Sequence, residues 1–186
     1  SLVGSEMCIR DSLKGEDGND KIFGNEGDDT LEGGAGNDFL NGGAGDDDMS
    51  GGAGDDIYSV NSTSDNVTES SDEGTDTIFS SVTYTTSNNV ENLTLTGSDD
   101  INGTGNILNN TIRGNSGDNN LKGEDGNDKI FGNGGNDTLE GGAGNDFLNG
   151  GAGDDDMSGG ADDDIYIVDS TSDNVTESSD EGTDTI

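Results

Sequence analysis

Residues 33–41 read Gly33-Gly34-Ala35-Gly36-Asn37-Asp38-Phe39-Leu40-Asn41, and the rows around them repeat Gly-Gly-x-Gly-(Asn/Asp)-Asp-x-apolar-x every nine residues. The repeat runs without a gap from Gly15 to Ser59 and again from Gly114 to Ile167, with a weaker row starting at Gly105. A period this short builds a solenoid, in which each repeat is one coil element that cannot fold alone. Glycine at positions one, two and four permits positive φ and close backbone approach, and Asn or Asp at five tolerates the left-handed region. The expectation is a turn over positions one to six and a short strand over seven to nine. Position eight then points inward, placing Ile22, Leu31, Leu40, Met49 and Tyr58 in one core, and Leu121, Ile130, Leu139, Leu148, Met157 and Tyr166 in another.

Two turns close a coil, so one coil is two rows, and rows n and n+2 stack. Position-six aspartates such as Asp20 and Asp38, or Asp29 and Asp47, then meet on one edge, about 4.8 Å apart. Stacked carboxylates repel unless a cation lies between them. Carboxylates and glycine-exposed carbonyls in a flexible loop, with no His or Cys, select Ca²⁺ over Zn²⁺ or Cu²⁺, and over Mg²⁺ with its octahedral demand. Two apolar side chains per coil bury too little to offset the entropy of ordering its backbone, so metal binding is part of folding. An acidic, glycine-rich disordered tract has similar composition but needs no strict period; it is the state expected without calcium.

Composition narrows the partners. The apolar fraction of 25% is below that of an ordinary globular core, and the net charge of −36 opposes compaction unless counter-ions bind. Nucleic acid and anionic membrane surfaces are disfavoured by like charge. There is no His and no Pro, and the single Cys8 excludes an internal disulfide. No apolar run is long enough to span a membrane, and the first residues carry no signal-peptide pattern. Oligomeric state is not legible.

Residues 1–12 (SLVGSEMCIRDS) fit nothing that follows, look like translated sequencing-adaptor read-through, and are set aside as a non-native tail. From Leu13 a longer repeat appears: residues 13–78 align to 121–186 at an offset of 108 with five differences. The organisation expected is a first array at 13–59, a β-rich connector at 60–104, a second array at 105–168 and the start of a second connector at 169–186. Ending in mid-unit, the chain reads as a fragment of a longer array. Alternation over Ile78–Thr85 and the run Val90–Thr96 read as strands, with Asn66–Glu69 as a third. The offset of 108 is a whole number of nonapeptides, so the connector keeps the repeat phase.

These rows resemble the RTX, or haemolysin-type calcium-binding, nonapeptide family. The segments Asp56-x-Tyr58-x-Val60, Glu73-Gly74-Thr75-Asp76-Thr77 and Val90-Glu91-Asn92-Leu93-Thr94-Leu95 resemble connectors of large bacterial RTX proteins. The resemblance implies an all-β, right-handed parallel β-roll (β-solenoid) in two arrays, exported by type I secretion machinery and folding in extracellular calcium, secreted or at the cell surface. It makes the position-six aspartate a calcium ligand shared between stacked loops. The residues concerned are Asp20, Asp29, Asp38, Asp47 and Asp56, then Asp128, Asp137, Asp146, Asp155 and Asp164. Pairing rows n and n+2 gives about seven ions on that shared-ligand rule. Asn110 and Asn119 at position six should weaken their sites, and Asp162 at position four should strain its loop.

A structural calcium-binding segment is the reading favoured. A chaperone-like roll attached to a secreted protease or lipase is the alternative, but no His, triad or Gly-x-Ser-x-Gly elbow lies here, so any catalytic domain lies outside these residues. An acidic face that binds mineral calcium stays open as a further reading, whereas an adhesin or ice-binding solenoid needs a regular outward ladder. Position seven, with Lys21, Thr30, Phe39, Asp48 and Ile57, provides none. An EF-hand starting at Asp17 is excluded, because Asp28 rather than Glu falls at its twelfth position.

Overall fold

The computed structural model describes residues 2–3, 10–178 and 182–186, and these form parallel β-strands with no helix. Contacts divide the chain into two compact units, Ser1–Val82 with Ser87–Val90, and Thr83–Thr86 with Glu91–Ile186.

In the first unit, one ladder stacks Leu2–Val3, Lys21–Glu26, Phe39–Ala44, Ile57–Val60 and Thr77–Ser80. The other stacks Ser12–Asp17, Thr30–Ala35, Asp48–Ala53 and Asn66–Val67. In the second unit, Asn92–Leu95, Thr111–Arg113, Lys129–Gly134, Phe147–Ala152 and Ile165–Ile167 form one ladder. Tyr84–Thr85, Gly103–Thr104, Asn120–Asp125, Thr138–Ala143, Asp156–Ala161 and Asn174–Val175 form its other ladder. Within the arrays every register joins residues 18 apart, as in Ile22↔Leu40 and Leu31↔Met49. This is the two-row coil and the parallel β-solenoid expected from the period.

Position eight fills the core: Ile22, Leu40, Tyr58, Leu121, Ile130 and Leu148 are completely buried. The strands, however, are twice the expected length. Those inside the arrays run over positions seven to nine and on through one to three of the next row, leaving only positions four to six as the turn, while Ile57–Val60, Thr111–Arg113 and Ile165–Ile167 at the array ends stay short. The glycines do not exclude extended structure; they kink it. Pairing skips position one, going from Phe23↔Asn41 directly to Asn25↔Gly43. Position one is buried and turned inward, while position two takes the left-handed region, as at Gly34 (φ 116°) and, without glycine, at Asn25 (φ 78°). Position five never has positive φ among the described residues, so its Asn/Asp preference has another cause, given below.

The connector also departs from expectation. Residues 78–85 are not one strand: Thr77–Ser80 and Tyr84–Thr85 belong to different units, and the Ser80 hydroxyl, bonded to both the carbonyl (2.7 Å) and the N–H (3.2 Å) of Val82, makes a turn between them. Of the segment set aside as a tail, Leu2–Val3 pairs with Ile22 and Phe23, and Asp11 and Ser12 continue the coil register to Asp29 and Thr30. Residues 1 and 4–9 of that tail, and 179–181 of the second connector, lie outside the described residues.

Candidate metal centre

Each turn ends in two Asx-type side chains that satisfy backbone N–H groups in opposite directions along the stack. At position six, Oδ1 accepts the N–H of the equivalent residue one coil earlier: Asp38 from Asp20 at 2.7 Å, Asp47 from Asp29 at 2.8 Å, Asp56 from Asp38 at 2.7 Å. The second unit repeats this with Asp146 from Asp128, Asp155 from Asp137 and Asp164 from Asp146, at 2.7–2.8 Å. At position five, Oδ1 accepts from one coil later: Asn19 from Asn37 at 3.0 Å, Asn127 from Asn145 at 2.9 Å. The two ladders tie down N–H groups of a turn too tight to pair with itself. Position five is therefore chosen for its acceptor, a role the composition of one row cannot reveal.

The stacked position-six carboxylates do meet on one edge, as the spacing requires, but only one oxygen of each is used by the ladder. The second, Oδ2, is buried without a hydrogen-bond partner in Asp29, Asp38, Asp47, Asp56, Asp128, Asp137, Asp146, Asp155 and Asp164. Asp20, which opens the series, is half-buried. A buried carboxylate oxygen lacking a donor is costly unless a proton or a cation compensates it. Burial pushes Asp47, Asp128 and Asp137 up to about 6 and Asp56 and Asp146 up to about 7, with neighbouring carboxylates adding to the rise. Asp38, Asp155 and Asp164 rise for the same reason.

What faces these oxygens decides which compensation fits. The space that a side chain at Gly33 would fill is bordered by Asp38 Oδ2 and by the Gly51 carbonyl one coil on. The same pair recurs as Asp29 Oδ2 with the Gly42 carbonyl at Gly24, Asp128 with Gly141 at Gly123, and Asp146 with Gly159 at Gly141. Carboxylate and carbonyl oxygens converge, with no nitrogen or sulfur ligand. That donor chemistry fits a hard cation of the Ca²⁺ type, and glycine at position one is what keeps the place open.

Two rows lack the carboxylate and close differently. Asn119 accepts the Asn115 N–H at 2.8 Å through Oδ1 and donates through Nδ2 to the Ile101 carbonyl at 2.6 Å and to Asn115 Oδ1 at 3.1 Å. Asn110 does the same with Asn106 and the Glu91 carbonyl. Where the aspartate rows leave an oxygen without a donor, these rows hold an amide with its own bonds. At the other end of each array, residues from the connector take over position six: Asp65 Oδ1 accepts Asp47 N–H at 3.0 Å, and Asp76 Oδ1 accepts Asp56 N–H at 2.8 Å across 20 residues. Asp173 and Asp184 repeat this in the second unit. Neither pair follows the nonapeptide pattern, so neither was read from it. Asp162 at position four adopts φ 80°, the left-handed strain expected there.

Stacked coils whose turns bury donor-less carboxylate oxygens against glycine carbonyls define a hard-cation-binding β-solenoid. The sequence model of the RTX calcium-binding nonapeptide repeat matches in four copies, at residues 10–40, 23–58, 104–139 and 131–166, and the chain belongs to that family. Its arrays are calcium-binding RTX β-rolls. No curated protein matches the chain.

Proposed function

We propose that the chain is a calcium-triggered folding segment of a bacterial protein that leaves the cell unfolded through type I secretion machinery and folds in calcium-rich surroundings, secreted or at the cell surface. The observation that carries this is the row of buried, donor-less Oδ2 atoms: without a cation or a proton, each coil with Asp at position six closes over uncompensated charge. A net charge of −36 adds self-repulsion in the metal-free chain, and family membership supports the route and the location. Ions lie between the carboxylate pairs Asp20/Asp38, Asp29/Asp47, Asp38/Asp56, Asp128/Asp146, Asp137/Asp155 and Asp146/Asp164. The pairing of Asn119 with Asp137 is closed by the amide hydrogen bonds instead. The same carboxylate recurs in every row but those of Asn110 and Asn119, which suits holding ions rather than acid–base chemistry, so the reading for these residues is binding and not catalysis.

Far-ultraviolet circular dichroism tests this directly. Calcium added to the chelated chain should produce a sharp gain of β signal, reversed by chelator and not reproduced by magnesium at equal concentration. A spectrum unchanged up to millimolar calcium sinks the proposal.

A further inference from the structure

The last coil of the first array departs from the nonapeptide chemistry in one place. Val67 pairs with Met49 and Glu69 lies 18 residues after Gly51, so Glu69 holds the position-one slot that glycine holds in the array rows. Its Oε1 accepts the Gly51 N–H at 3.1 Å and the Tyr58 hydroxyl. Its Oε2 is buried with no hydrogen-bond partner. Two extra residues between Glu69 and Gly74 then carry the chain round, so that Asp76 takes position six 20 residues after Asp56 and accepts its N–H.

The result is a three-carboxylate cluster: one oxygen each from Asp56, Glu69 and Asp76 lie within 4.8 Å of one another, and all three residues are buried. Two independent features point to an occupant. Glu69 is only 7% exposed and Asp56 only 1%, yet Glu69 Oε2 and Asp56 Oδ2 both lack a donor. At Gly51 the space of the missing side chain is bordered by Asp56 Oδ2 and the Tyr58 hydroxyl, where the earlier row at Gly33 has a glycine carbonyl. The closing coil thus offers more negative charge than the rows before it, with a tyrosine hydroxyl beside it. Asp164, buried, and Glu177 and Asp184, half-buried, form the equivalent cluster at the end of the second array, with the Tyr166 hydroxyl accepting the Gly159 N–H as Tyr58 accepts that of Gly51.

We infer that Asp56, Glu69 and Asp76 form a distinct hard-cation site, taking Ca²⁺, that locks the connector onto the end of the nonapeptide array, and that Asp164, Glu177 and Asp184 form its second copy. The inference rests on the calcium reading of the arrays in so far as Asp56 serves both. The site differs from the array sites in kind: its ligands are three side chains, two of them outside the residues that match the repeat family. Three carboxylates around one position bind a hard cation tightly, and a trivalent lanthanide more tightly still.

The test uses the full chain and terbium as the probe. Tyr58 and Tyr166 touch Glu69 and the Gly159 N–H respectively, so excitation of tyrosine should sensitise emission from terbium bound at the two clusters. Glu69→Gln should bind one ion fewer than the parent in equilibrium dialysis against calcium, and should lose about half of the tyrosine-sensitised terbium emission. It should keep the calcium-induced circular dichroism of the arrays. Asp76→Asn, which reaches the cluster from the other side of the insertion, should do the same. An unchanged ion count in Glu69→Gln, or no sensitised emission from the parent chain, overturns the inference. The first outcome would make Glu69 a protonated partner of Tyr58 and nothing more. A parent chain that gains no β signal with calcium would instead overturn the proposed function, so the two failures are separable.

Discussion

Asp38 Oδ1 accepts the backbone N–H of Asp20 at 2.7 Å, across one coil, while Asp38 Oδ2 is buried with no donor at all. The residue is therefore half a structural clamp and half a charge that the protein alone does not balance. Splitting the two roles by mutation is possible because Asn keeps the acceptor and converts the other half into a donor. Asp38→Asn should retain the clamp, raise the stability of the metal-free coil and bind less calcium. Asp38→Ala should lose both roles and cost about 1–3 kcal/mol for the N–H left unpaired. Chemical unfolding in calcium and, in chelator, at about pH 5 where the metal-free coil still holds, together with ion counts by dialysis, separates them; equal behaviour of the two variants would contradict the division.

Glycine is needed for different reasons at different positions, and single Ala substitutions can show this. At Gly33 a Cβ would run into Asp38 Oδ2 and, at 2.6 Å, the Gly51 carbonyl, both of them groups of the proposed calcium site. Gly33→Ala should abolish calcium-induced folding of the first array. Gly134 has an ordinary φ and would bring its Cβ no nearer than 3.8 Å to any group, so Gly134→Ala should change stability by less than about 0.5 kcal/mol. A calcium titration followed by circular dichroism distinguishes them, and a tolerant Gly33 would show that position one is not the cation cradle.

The pH dependence of the metal-free chain follows from the raised carboxylates. Folding lifts Asp47, Asp128 and Asp137 from 3.8 to about 6 and Asp56 and Asp146 to about 7, chiefly through burial, so the folded coil binds more protons than the unfolded chain. That contribution is fully present below the unfolded value and is lost as pH rises through the folded ones. In chelator, the chain should hold β structure near pH 4 and lose it between pH 5 and 8, a window set by those values. Calcium competes with the same protons, so its apparent affinity should rise across that window and level off above it, with proton release on binding. A metal-free chain whose β signal is the same at both ends of the window would show that these oxygens are not buried in the apo state.

Much of this architecture is visible in nine residues. Leu40 and its equivalents at position eight announce the core, and the two-row coil puts Asp20 over Asp38 from the period alone. The glycines misled on strand length, because Gly33 and Gly34 read as turn formers although Gly33 sits in an extended, inward-facing place and only Gly34 has positive φ. Asn37 could not be understood from its own row, since its partner is the N–H of Asp55 in the next coil. Glu69 and Asp76 were hidden because the two-residue insertion between Glu69 and Gly74 breaks the period that reveals everything else; their meeting with Asp56 depends on chain closure, which spacing does not encode.

Asp162 carries backbone strain that its counterpart Gly54 avoids. The aspartate holds φ 80°, in the region that costs a side chain roughly 1–2 kcal/mol, whereas Gly54 sits at φ 129° freely. Asp162→Gly should stabilise the last coil of the second array by about 1 kcal/mol in calcium, less the extra entropy glycine loses on folding. Thermal unfolding in saturating calcium measures it, and a lower melting temperature would mean that the Asp162 carboxylate has a role outweighing its strain.

Asn119 offers the reverse of the Asp38 experiment. Its amide donates to the Ile101 carbonyl at 2.6 Å and to Asn115 Oδ1 at 3.1 Å, so that coil of the second array is closed without an ion. Asn119→Asp removes both donations and sets a bare carboxylate oxygen facing two acceptors. It also restores the aspartate that the nonapeptide pattern has at this position, one coil before Asp137. The metal-free stability should fall by about 1–3 kcal/mol, the cost of a buried polar group left without its partner. One further calcium ion should bind, and the calcium-dependent gain in stability should increase by a similar amount. Dialysis against calcium, and unfolding run in calcium and, in chelator, at about pH 5 where the metal-free coil still holds, read both quantities. A variant that loses stability in chelator yet gains no ion would show that the Ile101 and Asn115 acceptors, not the charge at position six, set the character of this coil.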